Sequence, residues 1–249
     1  CKLQRAPGKN TIALIGDSHA GMLYTGLASK TNEEEGIVVF PAGCAIPLIG
    51  LHAVPNDPYR AHNEEALSEG FRYIMSHTNI KKVVLSHYPD CSWNNVVDIR
   101  NPGNHDFGSI LMDGFARTYD ALTKAGKEIY VVLDNPTYEQ DSWPKCNASV
   151  VRRPSAIPSF LSSKKTEVCF AKQSDLIKRK MVDNWNKVSL ESAAGYRNIH
   201  FMDLEQLFCH DGTCSMLDSK ANMLYMDFTH LNTRGSIYAA PYLLDQLRR

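Results

Sequence analysis

Two short runs carry the residue types of nucleophilic catalysis. Gly16-Asp17-Ser18-His19 follows an apolar stretch near the start of the chain, and Asp227-Phe228-Thr229-His230 lies near its end. A serine hydroxyl attacks a carbonyl only when a base removes its proton. An imidazole serves as that base near neutral pH, and a carboxylate fixes its tautomer. An Asp three residues ahead of a His can reach the same ring across one turn. The chemistry implied is acyl transfer through an acyl-serine. Ser18 and Asp17 would equally suit a helix N-cap, so neither run decides the matter alone.

The elements around the runs bring them together. Thr11-Ile12-Ala13-Leu14-Ile15 reads as a buried strand, and residues 20–30 read as a helix. Further strands are expected at 36–40, 82–86, 128–133 and 198–202, with helices at 63–77, 107–125, 174–194 and 232–247. Strands separated by helices of this length give a parallel sheet covered on both faces. The expectation is an α/β three-layer sandwich with a roughly five-stranded parallel sheet. Sites in such sheets gather at the carboxyl ends of strands. Both runs stand at strand-to-helix junctions, so both belong to that edge. Residues 43–60 and 135–173 lack periodicity and read as loops, the second as a long insertion. One catalytic domain over residues 1–249 is expected, excised from a larger membrane protein.

Composition narrows the class. Apolar residues make up 43% and charged residues 22%, enough for an ordinary globular core. The net charge is zero, so nothing points to nucleic acid. No apolar run approaches the roughly 18 residues of a membrane helix. Seven cysteines are present without a C-x-x-C pair. Cys209 and Cys214 flank a turn-like loop, and Cys146 and Cys169 flank a Pro- and Ser-bearing stretch. Both spacings suit disulfides, which form in oxidising compartments. The histidines show no metal-ligand spacing, so no metal is expected.

Several residues have two readings. His87 ends a strand and could touch substrate or serve structure. His19 is expected to bond within its turn, and Asp17 to brace it. Tyr88, Trp93 and Trp143 could stack on sugars, although packing is the plainer role.

Taken together, Ile15-Gly16-Asp17-Ser18-His19-Ala20, Gly43-Cys44 with Pro47, Cys209 with Cys214, and Asp227-x-x-His230-Leu231 with Gly235 resemble the SGNH (GDSL-like) hydrolase superfamily. They resemble in particular its SGNH domain fused to type-3 membrane acyltransferases, bacterial proteins that O-acetylate glycans such as lipopolysaccharide O-antigen. The resemblance implies a flavodoxin-like SGNH hydrolase fold. It implies Ser18 as nucleophile, His230 as base and Asp227 as its orienter. It implies an oxyanion hole from the backbone N–H groups of Ser18 and Gly43. The family's usual Gly-x-Asn-Asp is missing after the third strand, which runs into Ser86-His87-Tyr88-Pro89-Asp90. Asn94, Asn95, Ser86 or His87 would then complete the hole. The implied partners are a carbohydrate acceptor and a fused or associated membrane acyltransferase domain that supplies the acetyl donor. No cofactor is expected in the domain. The implied location is the periplasmic side of a bacterial inner membrane. A carbohydrate esterase or deacetylase and a non-catalytic glycan-binding domain are the alternative readings.

Overall fold

In a computed structural model of the chain, residues 3–5, 10–32, 34–53, 58–89, 96–151, 167–176 and 179–249 are described. The first half contains β1 (Leu3–Arg5), β2 (Asn10–Gly16), α1 (Ser18–Lys30), β3 (Glu35–Pro41), β4 (Leu51–Ala53), α2 (Pro58–Ser76), β5 (Ile80–Ser86), β6 (Val96–Asp98) and α3 (Phe107–Lys124). The second contains β7 (Glu128–Leu133), α4 (Ser142–Val151), β8 (Phe170–Lys172), α5 (Arg179–Ser192), β9 (Ile199–Asp203), α6 (Glu205–Phe208), β10 (Cys209–His210), β11 (Thr213–Ser215) and α7 (Thr233–Arg248).

The main sheet has six strands in the order β1-β3-β2-β5-β7-β9. Five of them are the parallel strands expected from sequence. The sixth, β1, pairs antiparallel with β3 at the edge. Alternation along β2 divides the core. Ile12 and Leu14 pack with Leu23 and Leu27 of α1 and with Leu243, Leu244 and Leu247 of α7. Ala13 and Ile15 pack on the opposite face with Leu67, Phe71 and Ile74 of α2 and with Leu111 and Phe115 of α3. A strand buried on both faces reads as a near-continuous apolar run, and β2 is buried from Thr11 to Gly16. Among the described residues no helix is long and apolar enough to cross a membrane.

The two segments read as loops contain structure of their own. β4 pairs with β6, and α2 begins at Pro58, inside the stretch expected to be loop. Proline suits the first helical position because its missing N–H has no partner there anyway. The 135–173 segment holds α4 and β8. Pro144 falls in the first turn of α4, where the same reasoning applies. The helix expected from residue 174 instead starts at Arg179, after a 3-10 turn over Gln173–Asp175.

Both expected disulfides are present. Cys146–Cys169 ties α4 to the turn before β8 and is fully buried. Cys209–Cys214 joins paired residues of β10 and β11. Cys44 is disulfide-bonded as well. Cys1 and Cys91 lie outside the described residues.

The contact that matters most for the site is between α1 and α7. The N–H of Gly26 donates to Ser236 Oγ at 2.8 Å. A Cβ on residue 26 would stand 2.0 Å from Ser236 O, so the backbones meet only because residue 26 has no side chain. Gly26→Ala must push the helices apart, at a cost of about 1–3 kcal/mol or more. The expected fall in Tm is roughly 2–4 °C per kcal/mol. Gly103→Ala is the control, because nothing lies within 4 Å of its added carbon. Equal melting temperatures for the two variants would contradict this packing.

Candidate active site

The carboxyl edge of the sheet is built from the ends of β2, β3, β5 and β7 and the loop before α7. At the end of β2, Gly16 approaches β5 so closely that a Cβ would stand 1.7 Å from Ser86 O. Only glycine permits that approach, and it aims the next residues out of the sheet. Asp17 caps α1, accepting from the His19 N–H at 2.8 Å. Ser18 is the first residue of α1 and is exposed, whereas Asp17 and His19 beside it are buried. Its hydroxyl therefore stands at a helix N-terminus, where the helix dipole favours negative charge.

Ser18 Oγ lies 2.7 Å from His230 Nε2, across 212 positions of sequence. His230 Nδ1 lies 2.7 Å from Asp227 Oδ2. The Asp-x-x-His turn orients its own carboxylate. Asp227 Oδ1 accepts from the backbone N–H of Thr229 and of His230, each at 2.7 Å. This leaves Oδ2 for the ring. Burial pushes the Asp227 carboxyl up, but the His230 ring and these N–H donors outweigh it and hold it well below the usual range. An ionised carboxylate can only accept, so Nδ1 carries the proton of that bond. That tautomer leaves the lone pair of Nε2 facing the Ser18 hydroxyl. All three residues expected from sequence thus form one hydrogen-bonded chain.

Gly43 lies in the turn after β3. The N–H of Ala42 donates to Gly16 O at 2.8 Å, which fastens this turn beside Ser18. Asn63 of α2 donates to Gly43 O at 2.9 Å, and Cys44 has a left-handed φ of 54°. Asn94 and Asn95, the candidate further donors, lie outside the described residues, as does Trp93. Ser86 is buried at the end of β5.

His87 has a structural position. It is buried, with Nδ1 2.9 Å from Asp17 Oδ2. Asp17 also accepts from the Tyr88 N–H at 2.8 Å, so it braces the turn from two sides. Burial alone would raise the Asp17 carboxyl. The charge and hydrogen bond of His87, the charge of His19 and the Tyr88 N–H bring it below its ordinary value.

His19 departs from expectation. Its backbone bonds within the turn, but its ring reaches across to Asp134, with Nδ1 2.7 Å from Oδ1. The turn is too short to bury and satisfy an imidazole, so the ring pairs with a carboxylate at the end of β7. Asp134 and Asn135 were not anticipated. Their one sequence signal is position, immediately after a strand. Asn135 Nδ2 donates to Thr229 O at 2.8 Å, tying β7 to the loop that carries His230. Tyr88 is buried and stacks on His19, and Trp143 Nε1 donates to Tyr225 O. Both therefore follow the packing reading.

A family model described as the SGNH domain fused to AT3 domains matches residues 1–245. No curated protein matches the chain. Among solved structures, the periplasmic domain of a lipopolysaccharide acetyltransferase from Salmonella ser. Paratyphi A is similar, with TM-score 0.66 and 16% identity over 97% of this chain and 85% of that one. The inhibitor-bound aryl esterase of M. smegmatis has TM-score 0.54 and 13% identity, covering 96% of this chain and 98% of its own. The acetyl xylan esterase AlAXEase has TM-score 0.51 and 11% identity, covering 95% and 99%. The likeness to these structures is one of fold.

The Asp17 brace makes stability depend on pH. Its folded carboxyl titrates below the ordinary value of 3.8, so its contribution is complete above that pH and is lost as pH falls through the folded value. Asp17→Asn mimics the protonated form. Its Tm deficit against the parent should be full between roughly pH 4 and 6 and should shrink at lower pH. A deficit that persists unchanged into acid would contradict the assigned ion pair.

Proposed function

The chain belongs to the SGNH domain family found fused to AT3 domains, and on that premise we propose that it transfers an acetyl group through an acyl-Ser18 intermediate to a hydroxyl of a bacterial cell-surface carbohydrate. The observation that carries the proposal is the continuous chain from Ser18 through His230 to Asp227. In the first half-reaction Ser18 Oγ attacks the carbonyl carbon of the donor while its proton passes to His230 Nε2. The tetrahedral adduct collapses, and the leaving group departs with that proton. In the second half-reaction the sugar hydroxyl gives its proton to His230 and attacks the acyl-serine. The proton then returns to Ser18. Asp227, an anion throughout, stabilises the imidazolium formed in each half-reaction.

The developing oxyanion takes backbone N–H donors from Ser18 and Gly43, with Asn94 or Asn95 as the further donor. Each such donor is worth about 3 kcal/mol of transition-state stabilisation. No cofactor enters either step. The acetyl group reaches Ser18 from a membrane acyltransferase domain, in keeping with the AT3 fusion of the family. The two disulfides agree with an oxidising compartment, and the similar Salmonella domain is periplasmic by name. On these grounds the domain works on the periplasmic face, and a lipopolysaccharide O-antigen fits as acceptor.

Hydrolysis is the second reading, favoured by the fold shared with the aryl and acetyl xylan esterases. It has the same first half-reaction, with water in place of the sugar. The test uses the protein together with its membrane domain. Ser18→Ala should abolish acetylation of the glycan and labelling by a phosphonate ester probe, with the fold intact by circular dichroism. Persistent acetylation would sink the nucleophile role. Release of free acetate at the same rate with and without glycan would decide for the esterase.

A further inference from the structure

Three Asp–His pairs converge on this edge, each through Nδ1. Asp227 pairs with His230 at 2.7 Å, Asp17 with His87 at 2.9 Å, and Asp134 with His19 at 2.7 Å. Only the first is partly exposed and touches Ser18. The other two are buried, and the proposed chemistry uses neither. The His19 ring lies next to the base itself, 4.8 Å from the His230 ring between centroids. The His19 ring is also stacked on Tyr88 at 4.9 Å and 14°.

The charges around His19 come from every element that meets there. Asp17 stands on its own turn, Asp134 at the end of β7 and Asp227 in the loop before α7. His87 and Tyr88 come from the loop after β5, and His230 from the loop before α7. Three carboxylates thus crowd a site whose base must be unprotonated to act. Carboxylates favour the protonated form of a nearby imidazole, and a neighbouring cation opposes it.

Resting on the reading of His230 as base, we propose that His19, held as a buried imidazolium by Asp134, is a positioning residue that offsets these carboxylates and keeps His230 unprotonated at neutral pH. Burial disfavours the charged ring, but the charge and hydrogen bond of Asp134, with the charges of Asp17 and Asp227, outweigh burial and raise its proton affinity above the ordinary value. His19 Nε2 is buried without a hydrogen-bond partner among the described residues, a cost that the carboxylates and the stacked Tyr88 offset. The pair also explains why the ring beside the nucleophile points inward: its charge acts on the base, not on the substrate.

The test reads the rings directly by nitrogen-detected NMR titration of the folded protein, with no dependence on activity. At about pH 7 His19 should carry protons on both nitrogens while His230 carries one. In His19→Gln the midpoint of His230 should rise by about one pH unit, because Asp134 is left uncompensated. In the double variant His19→Gln with Asp134→Asn the midpoint should return close to the parent's. A purely structural His19 would leave the double variant at least as perturbed as the single one. The proposal is overturned if His19 is neutral at about pH 7, or if the His230 midpoint is the same in His19→Gln as in the parent. Should His19→Gln fail to fold, the titration of His19 in the unaltered protein decides alone. Failure of the nucleophile reading is separate: Ser18 would resist the phosphonate probe while the rings titrated as described.

Discussion

The hydrogen bond from the Gly26 N–H to Ser236 Oγ, with the bare backbone contact around it, sets the distance between the first helix and the last. The meeting of Ser18 and His230 at the carboxyl edge depends on that distance. Ser18 opens α1, and His230 stands just before α7, so the separation of the helices becomes the separation of hydroxyl and imidazole. A gap 1 Å wider would turn a 2.7 Å hydrogen bond into a contact too long to pass a proton. The glycine is therefore as much a requirement of the site as the serine, though it lies two turns away from it along α1.

Around that distance the structure arranges carboxylates and imidazoles in pairs. A buried carboxylate is costly unless it is paired and hydrogen-bonded. Asp17 meets this by accepting from two backbone N–H groups and by facing His87. Asp227 meets it with the backbone of its own turn, which frees one oxygen to aim at the ring. Asp134 meets it with His19 and with the N–H of Asn135. The pairs differ in exposure. The two buried ones hold the turn and the strand end, and the exposed one is left with an unshared lone pair toward Ser18.

Residues of this edge were legible in the sequence to the extent that they sit in one contiguous run. Gly16, Asp17 and Ser18 are adjacent, and Asp227 and His230 lie within a single turn, so their joint geometry is local. The parallel strands were legible for a related reason: each runs five to seven residues around a shorter apolar stretch, long enough to carry a pattern. The partner of His19 was not legible. Asp134 is 115 positions away, and nothing in a lone Asp at a strand end says which ring will meet it. The small strands β1, β4, β6, β8, β10 and β11 were also missed, since two or three residues are too few to show alternation. Pro58 and Pro144 lie in segments that read as loops, yet both stand in a first helical turn, where proline costs little.

The same geometry bears on what would accept the acyl group in the proposed reaction. Ser18 is exposed, and a relay behind it would treat water and a sugar hydroxyl alike, since either would give its proton to the same Nε2. Selectivity for a sugar therefore cannot come from the triad. It has to come from contacts that hold the acceptor hydroxyl against the acyl-serine long enough to outpace water, since orientation alone can supply a large rate advantage. The proposed charge on His19 would add nothing to that choice, because it would act on the same ring for both acceptors. In the proposed reaction the labour divides in physical terms: the edge of the sheet would set how readily an acyl-serine forms and breaks, and the surface above Ser18 would set what takes the acyl group.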